Sequence, residues 1–195
     1  MFLSKKNPNR ETICTTIAEL AGEEVTLTRV SESEFATTHQ AMQAPLLYTT
    51  AGFKDAPSED RLRDLLIERE HLILWHTMRR GESVSSGYCG WSYFSGPAFL
   101  FFMPADDAPL DLIVISEALE MVGVAYFKFT EGQQLFMYID KPIEEDIHET
   151  LVECGFDPID ELPTIDNETE GAYVLKRATF EAYYGGGEGE DDFEP

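Results

Sequence analysis

A long stripe of apolar side chains between two apolar strands places the strongest constraint on the fold. From residue 110 to residue 129 the apolar side chains recur at i, i+3 and i+4, which is the spacing of one buried helix face. Residues 98–103 before the stripe and 135–139 after it are almost continuously apolar, as is typical of strands covered on both faces. These patterns predict an α/β fold with a central mixed β-sheet flanked by helices.

The chain is long enough for a single domain with a short extension at each end. Residues 1–23 form the N-terminal extension, and residues 24–184 form the domain. Residues 185–195 are mostly glycine and acid, so this tail is expected to be disordered. Helical spacing in the extension predicts a short helix through Ile13, Ile17, Leu20 and Ala21.

Other elements follow from periodicity, capping residues and turns. Strands are predicted at 24–30, 71–78, 84–94 and 171–177. Helices are predicted at 31–43, from Ser58 onward, and from Pro142 to Val152, with a turn-rich loop at 44–57.

The net charge of −23, from 37 acids against 14 Lys and Arg, argues against direct binding of nucleic acid, because a phosphate backbone needs basic partners. It leaves open a solvated acidic surface, docking to a basic protein, and mimicry of DNA. No apolar run is long enough to cross a bilayer. Cys14, Cys89 and Cys154 lie too far apart for a zinc motif or a disulfide framework, which predicts reduced thiols and a cytoplasmic protein.

The segment Leu-Phe-Met-Tyr-Ile-Asp at 135–140, the helix after it and Cys154-Gly155-Phe156 belong to a larger order of elements. That order is strand, two helices, three-stranded meander, long helix, strand, helix and hairpin, and it resembles the acyl-CoA-dependent N-acyltransferases of the GNAT superfamily. The resemblance implies a loop of the form Gln/Arg-x-x-Gly-x-Gly/Ala before the long helix, whose N–H groups cradle the cofactor pyrophosphate. It also implies a tyrosine four residues before Gly155.

The chain departs from this pattern at the functional positions. Residues 103–111 read Met-Pro-Ala-Asp-Asp-Ala-Pro-Leu-Asp, with neither glycine nor arginine. Leu151 replaces the tyrosine, and Lys-Pro-Ile-Glu at 141–144 replaces an asparagine that often follows the preceding strand. We therefore expect a non-catalytic GNAT-like protein that binds no cofactor and acts through protein contacts, as an accessory or virion component of a virus or phage.

The expected partner is a protein with a basic surface, and the expected interaction residues are Asp106, Asp107, Asp111 and Phe193. Asp111 and its neighbours also suit helix capping. Two alternatives remain. One is an acyl-CoA-dependent N-acyltransferase with an atypical site for acetyl-CoA, and the other is an acidic DNA-mimic inhibitor.

Few side chains are arranged for chemistry, and no catalytic or metal-binding residue is assigned. His71 and His76 fall on opposite faces of one predicted strand, so they form no joint site, although His76 could be a base in an acceptor cleft. His148 lies on a helix with an acidic face, for which solvation is the favoured explanation. Gly87 and Gly90 predict a bulge or a close backbone approach.

Overall fold

The computed structural model describes residues 19–51, 53–68, 71–82, 85–92, 97–105, 111–139, 145–160, 162 and 171–184. Within these ranges the strands form one eight-stranded sheet in the order β1-β2-β3-β4-β5-β6-β8-β7. Only β5 and β6 pair in parallel, and the other neighbours are antiparallel. The predicted central mixed sheet is confirmed. The strands are β1 Glu19–Ala21, β2 Val25–Arg29, β3 Leu72–Arg79, β4 Ser85–Ser92, β5 Ala98–Pro104, β6 Gln134–Tyr138, β7 Asp157–Ile159 and β8 Ala172–Lys176.

Helices cover both faces of this sheet. One face packs against α4, α5 and α6, and buries both tryptophans, Trp75 and Trp91. The other face packs against α1, α2 and α3 over the half that contains β3, β4 and β5. The helices are α1 Phe35–Ala41, α2 Pro45–Thr50, α3 Glu59–Arg63, α4 Leu112–Phe129, α5 Glu145–Glu153 and α6 Arg177–Tyr184, and a π-helical turn, Asp64–Glu68, continues α3.

The long helix α4 confirms the apolar stripe, since Val114, Val122 and Tyr126 are buried against the sheet. Ile113 is the exception, because 54% of its surface is exposed. It precedes Val114 by about 100° around the helix, on the side away from the buried residues. The helical stripe at 110–129 includes Ile113 and so predicts that it is buried, and for this residue the prediction is wrong.

Three segments differ from their predicted structure. Leu20 and Ala21 belong to β1, which pairs with β2 (Leu20 opposite Leu27), and not to a helix. Residues 45–50 form α2 inside the expected loop, beginning at Pro45 and burying Leu47. Residues 177–184 form α6, which the sequence patterns do not predict. Ile13, Ile17, Cys14 and residues 185–195 lie outside the described residues.

The turn between β1 and β2 is anchored by a carboxylate from α4. The backbone N–H of Glu24 donates to Glu117 Oε2 at 2.9 Å, and the N–H of Glu23 donates to Glu117 Oε1. This long-range contact holds the hairpin against α4, which explains why a segment with helical spacing becomes a strand. Cys89 and Cys154 are free and buried. No helix in the described part of the chain has the length and apolar character needed to cross a membrane.

Candidate functional site

The central feature of the sheet is a split between β5 and β6. These strands pair only through Ala98 with Leu135, Phe99 with Phe136 and Leu100 with Met137. Beyond Leu100, β5 continues to Pro104 and stays paired with β4 on its other edge. In the described structure no strand pairs with the β6-facing edge of Phe101, Phe102 and Met103. Backbone N–H and C=O groups on such an edge are available to an extended ligand.

The strand β4 holds the C-terminal end of β5 on the β4 side of the split. Gly87 has φ +148°, and a Cβ there would collide with the carbonyl oxygen of Met103 and lie 3.0 Å from Cα of Pro104. The register between β3 and β4 shifts beside it, between Thr77 and Met78. The predicted bulge and close approach at Gly87 are confirmed. Because only glycine permits this contact, β4 keeps β5 from following β6.

A row of side chains crosses the sheet on the face covered by α1–α3. His76 of β3 is opposite Tyr88 of β4, and Tyr88 is opposite Met103 of β5. The His76 and Tyr88 ring centroids are 4.6 Å apart. Burial lowers the pKa of the half-buried His76 imidazole, and Glu34 opposes this with a smaller effect. His76 is therefore neutral at pH 7 and can accept a proton, at the level of the unpaired β5 edge.

The opposite face carries a second histidine and tyrosine in contact. His148 Nδ1 and the Tyr173 hydroxyl are 2.8 Å apart. Tyr173 of β8 is opposite Met137 of β6, and Met137 is paired with Leu100, where the split begins. Burial raises the pKa of Tyr173. The sequence patterns miss this pair, because the two residues are 25 positions apart and no local motif links them.

Leu151 occupies the position at which the GNAT resemblance implies a tyrosine. The structure places it on α5 with 1% of its surface exposed, in the core with Phe156 and Tyr173. Its side chain has no ionisable group, so it contributes packing at this position and no proton. His148 lies one helical turn before it on α5.

The N-terminus of α4 is closed by Asp111. Its Oδ1 accepts from the N–H groups of Ile113 at 3.1 Å and Val114 at 3.4 Å. Its Oδ2 accepts from Arg79 NH1 at 2.9 Å, and Arg79 NH2 is 3.8 Å from Glu24. Asp111 thus has the capping role that its position suggests. Asp106, Asp107 and Phe193 lie outside the described residues, so their expected interaction role stays a prediction. The described residues contain no cluster able to hold a metal ion.

The chain matches no protein-family model and no curated protein sequence. Solved structures do match it. The aminoglycoside acetyltransferase AAC(6')-Ib bound to coenzyme A is 15% identical over 81% of this chain and 98% of that chain, with a TM-score of 0.59. An acetyltransferase from Agrobacterium tumefaciens is 16% identical over 83% and 95%, with a TM-score of 0.57. A probable GNAT-family acetyltransferase from Chromobacterium violaceum is 11% identical over 93% and 95%, with a TM-score of 0.53.

The chain has the GNAT fold. These neighbours contradict the expectation of a non-catalytic protein without a cofactor, because they are acetyltransferases. AAC(6')-Ib holds coenzyme A, also together with kanamycin, and in a further complex acetyl-CoA. The expectation relied on the missing loop motif at 103–111 and on the replaced residues at Leu151 and at 141–144. These are local differences, whereas the GNAT fold and its split depend on the whole sheet. The neighbours give no support to a viral or structural role.

Proposed function

We propose that this protein is an acyl-CoA-dependent N-acyltransferase. The observation that carries the proposal is the split: in the middle of the sheet, none of the described strands pairs with the β6-facing edge of β5 from Phe101 to Met103. The pantetheine arm of coenzyme A is an extended chain with amide groups. Such a chain can pair with an unpaired strand edge as an added strand does. The coenzyme A held by the structural neighbour AAC(6')-Ib supports the same proposal.

The residues at the split fit the thioester arm. Alternate residues of a strand direct their N–H and C=O groups to the same edge, so those groups in Phe101–Met103 that face away from β4 would hold its amides. Phe101 and Met103 are buried, so this end of the site excludes water and strengthens hydrogen bonds within it. Bound acyl-CoA supplies an acyl group activated by a thiolate leaving group.

His76 is the base in this proposal. It takes a proton from the acceptor ammonium, which frees the lone pair of the nitrogen for attack on the thioester carbonyl. The new C–N bond then replaces the C–S bond, and the sulfur leaves as a thiolate that takes the second proton lost by the nitrogen, so a neutral amide and a free thiol are formed. The pKa of His76 lies below its ordinary value, so the imidazole is unprotonated at pH 7 when the acceptor binds. It is therefore free to take the proton.

The acceptor is a cationic amine. The chain has a net charge of −23, which favours the encounter with a positively charged small molecule. Glu34 is close enough to His76 to influence its pKa, which places negative charge beside the proposed base. AAC(6')-Ib, a structural neighbour, is an aminoglycoside acetyltransferase.

The test measures thiol release from acetyl-CoA in the presence of kanamycin, spermidine or a lysine peptide. We expect release that depends on one of these amines. His76→Gln should lower kcat about 100-fold, the usual contribution of a general base, with little change in the donor KM. With the lysine peptide, whose amine stays protonated throughout this range, wild-type kcat/KM should fall as pH drops through the lowered pKa of His76, and His76→Gln should lose this step.

His39→Gln is the matched control, because His39 lies on α1 and contacts Gln43 and the carbonyl of Pro57. It should leave kcat unchanged. Absence of amine-dependent thiol release with every acceptor, together with no binding of coenzyme A, would refute the proposed function. An active enzyme in which His76→Gln behaves as His39→Gln would refute only the role of His76.

A further inference from the structure

We infer that Asp111 makes this protein hold its donor by the pantetheine arm and not by the nucleotide, so that acyl-pantetheine thioesters serve as well as acyl-CoA. The inference rests on the proposed function and specifies its donor. It concerns the N-terminus of α4, which follows β5 after residues 105–111. In an α/β sheet this position, beyond the carboxyl end of a strand and at the start of a helix, is where ligand phosphates usually bind.

The N–H groups at this terminus already have an anionic partner from the chain itself. Asp111 Oδ1 accepts from Ile113 and Val114 of the first turn of α4. A phosphate oxygen would have to displace this carboxylate to reach the same donors. The displacement would also break the bond from Arg79 to Asp111 Oδ2.

The charges around this terminus oppose a nucleotide. Arg79 contacts the terminus but is shared between Asp111 at 2.9 Å and Glu24 at 3.8 Å. The carboxylate of Glu117 binds the neighbouring β1–β2 turn. Three carboxylates therefore lie at the terminus and this turn, against two guanidinium groups, since Arg80 NH1 also donates to the carbonyl of Glu23 at 3.5 Å. The diphosphate and 3′-phosphate of coenzyme A would meet an excess of negative charge.

The sequence that leads into the terminus supplies no compensation. Residues 103–111 contain no Lys, Arg or Gly. Pro104 and Pro109 have no backbone N–H to donate. Uncharged pantetheine needs no such compensation, because the β5 edge that would pair with it, from Phe101 to Met103, carries no charged side chain.

The experiment is a calorimetric titration of the full chain with coenzyme A, with pantetheine and with adenosine 3′,5′-bisphosphate. We expect coenzyme A and pantetheine to bind within about threefold of each other, since the nucleotide adds little, and the bisphosphate not to bind measurably. Asp111→Asn removes the charge, keeps a capping side chain and releases Arg79. It should raise the affinity for coenzyme A about tenfold, because removal of one charge repulsion near the surface has about this effect. The affinity for pantetheine should not change.

Asp157→Asn is the matched control for net charge, because Asp157 forms an exposed ion pair with Lys176 at 2.8 Å. This substitution should change neither the affinity for coenzyme A nor the affinity for pantetheine. If Asp111→Asn lowers the melting temperature by more than a few degrees, Asp111→Ser provides a second neutral cap for the same comparison.

Coenzyme A binding to the wild type more than about 30-fold tighter than pantetheine would overturn the inference. The inference would also be overturned if Asp111→Asn changed the affinities for coenzyme A and pantetheine equally, or changed neither of them. Acyl transfer from acetyl-CoA but not from acetyl-pantetheine would overturn this inference and leave the proposed function intact. Failure of both thiols to bind and of both thioesters to react would remove the proposed function itself.

Discussion

Arg177 joins the end of α4 to the start of β6 and α6. Its NH2 group donates to the carbonyl of Thr130 at 2.7 Å and its Nε to the carbonyl of Gly132 at 3.0 Å. Its guanidinium carbon lies 5.1 Å from the ring centroid of Phe127, and NH1 is 3.4 Å from Glu181 Oε1. We predict that Arg177→Met weakens the fold more than any surface ion pair does.

The size of the effect follows from these contacts. Each bond from the guanidinium to a carbonyl contributes about 1 kcal/mol after allowance for the 21% of the side chain that is exposed. The ring contact adds about 0.5–1 kcal/mol. The exposed pair with Glu181 adds about 0.3–0.5 kcal/mol. Methionine keeps most of the apolar contact of the stem. Arg177→Met should therefore lower the free energy of unfolding by about 3 kcal/mol, or the melting temperature by about 6–12 °C.

Urea denaturation followed by tryptophan fluorescence measures this, because the two tryptophans, Trp75 and Trp91, are buried in the core that α4 covers. Glu181→Gln removes only the exposed ion pair and should cost less than about 0.5 kcal/mol. Arg177→Lys keeps the charge but cannot bond both carbonyls in the same geometry. Its loss in free energy of unfolding should therefore lie between those of Arg177→Met and Glu181→Gln. Equal midpoints and slopes for Arg177→Met and Glu181→Gln would show that the carbonyl bonds contribute nothing.

Two further predictions concern the sheet and its long helix. Val122→Asp places an unpaired charge in the fully buried face of α4 and should lower the free energy of unfolding by more than about 4 kcal/mol. Val152 of α5 is 42% exposed, so Val152→Asp should not have this effect. A Val122→Asp variant that is soluble and folded by circular dichroism would contradict the helix packing. Gly87→Ala drives a methyl group into the backbone of Met103 and should cost about 2–4 kcal/mol and weaken coenzyme A binding. Gly81 also has a positive φ, +84° against +148° at Gly87, but open space around it, so Gly81→Ala should cost only about 1 kcal/mol. Equal melting temperatures for the two variants would contradict the close approach.

Local signals predicted the elements that local physics controls. The stripe of α4 is periodic over many residues and β5 is continuously apolar, and both are where the sequence places them. Ser58 is the cap of α3, accepting from the N–H of Arg61 at 3.4 Å. Glu34 accepts from the N–H of Ser31 at 2.9 Å, which is one of the two bonds of a capping box, although α1 begins only at Phe35 and Ser31 does not cap it. These contacts span three residues, so their pattern is visible in the chain.

Elements that depend on distant contacts were mispredicted. Leu20 has helical spacing with its neighbours, yet it is a strand residue because β2 pairs with it and Glu117 of α4 binds the adjoining turn. The expectation of a non-catalytic protein failed for a related reason. It weighed the loop at 103–111, whereas the acetyltransferase neighbours share the arrangement of the whole sheet.

The candidate site is visible in the sequence only in part. His76 could be considered as a base, and Gly87 predicted a close approach, because each has a property of its own. The contacts of His76 with Tyr88, of Arg79 with Asp111 and of His148 with Tyr173 join residues on different elements. By itself the sequence determined the α/β class, the long buried helix and the acidity of the surface, since these depend on periodicity and composition. Only the tertiary structure decided where β5 and β6 part and which charges meet at α4, because strand register and helix docking are long-range properties.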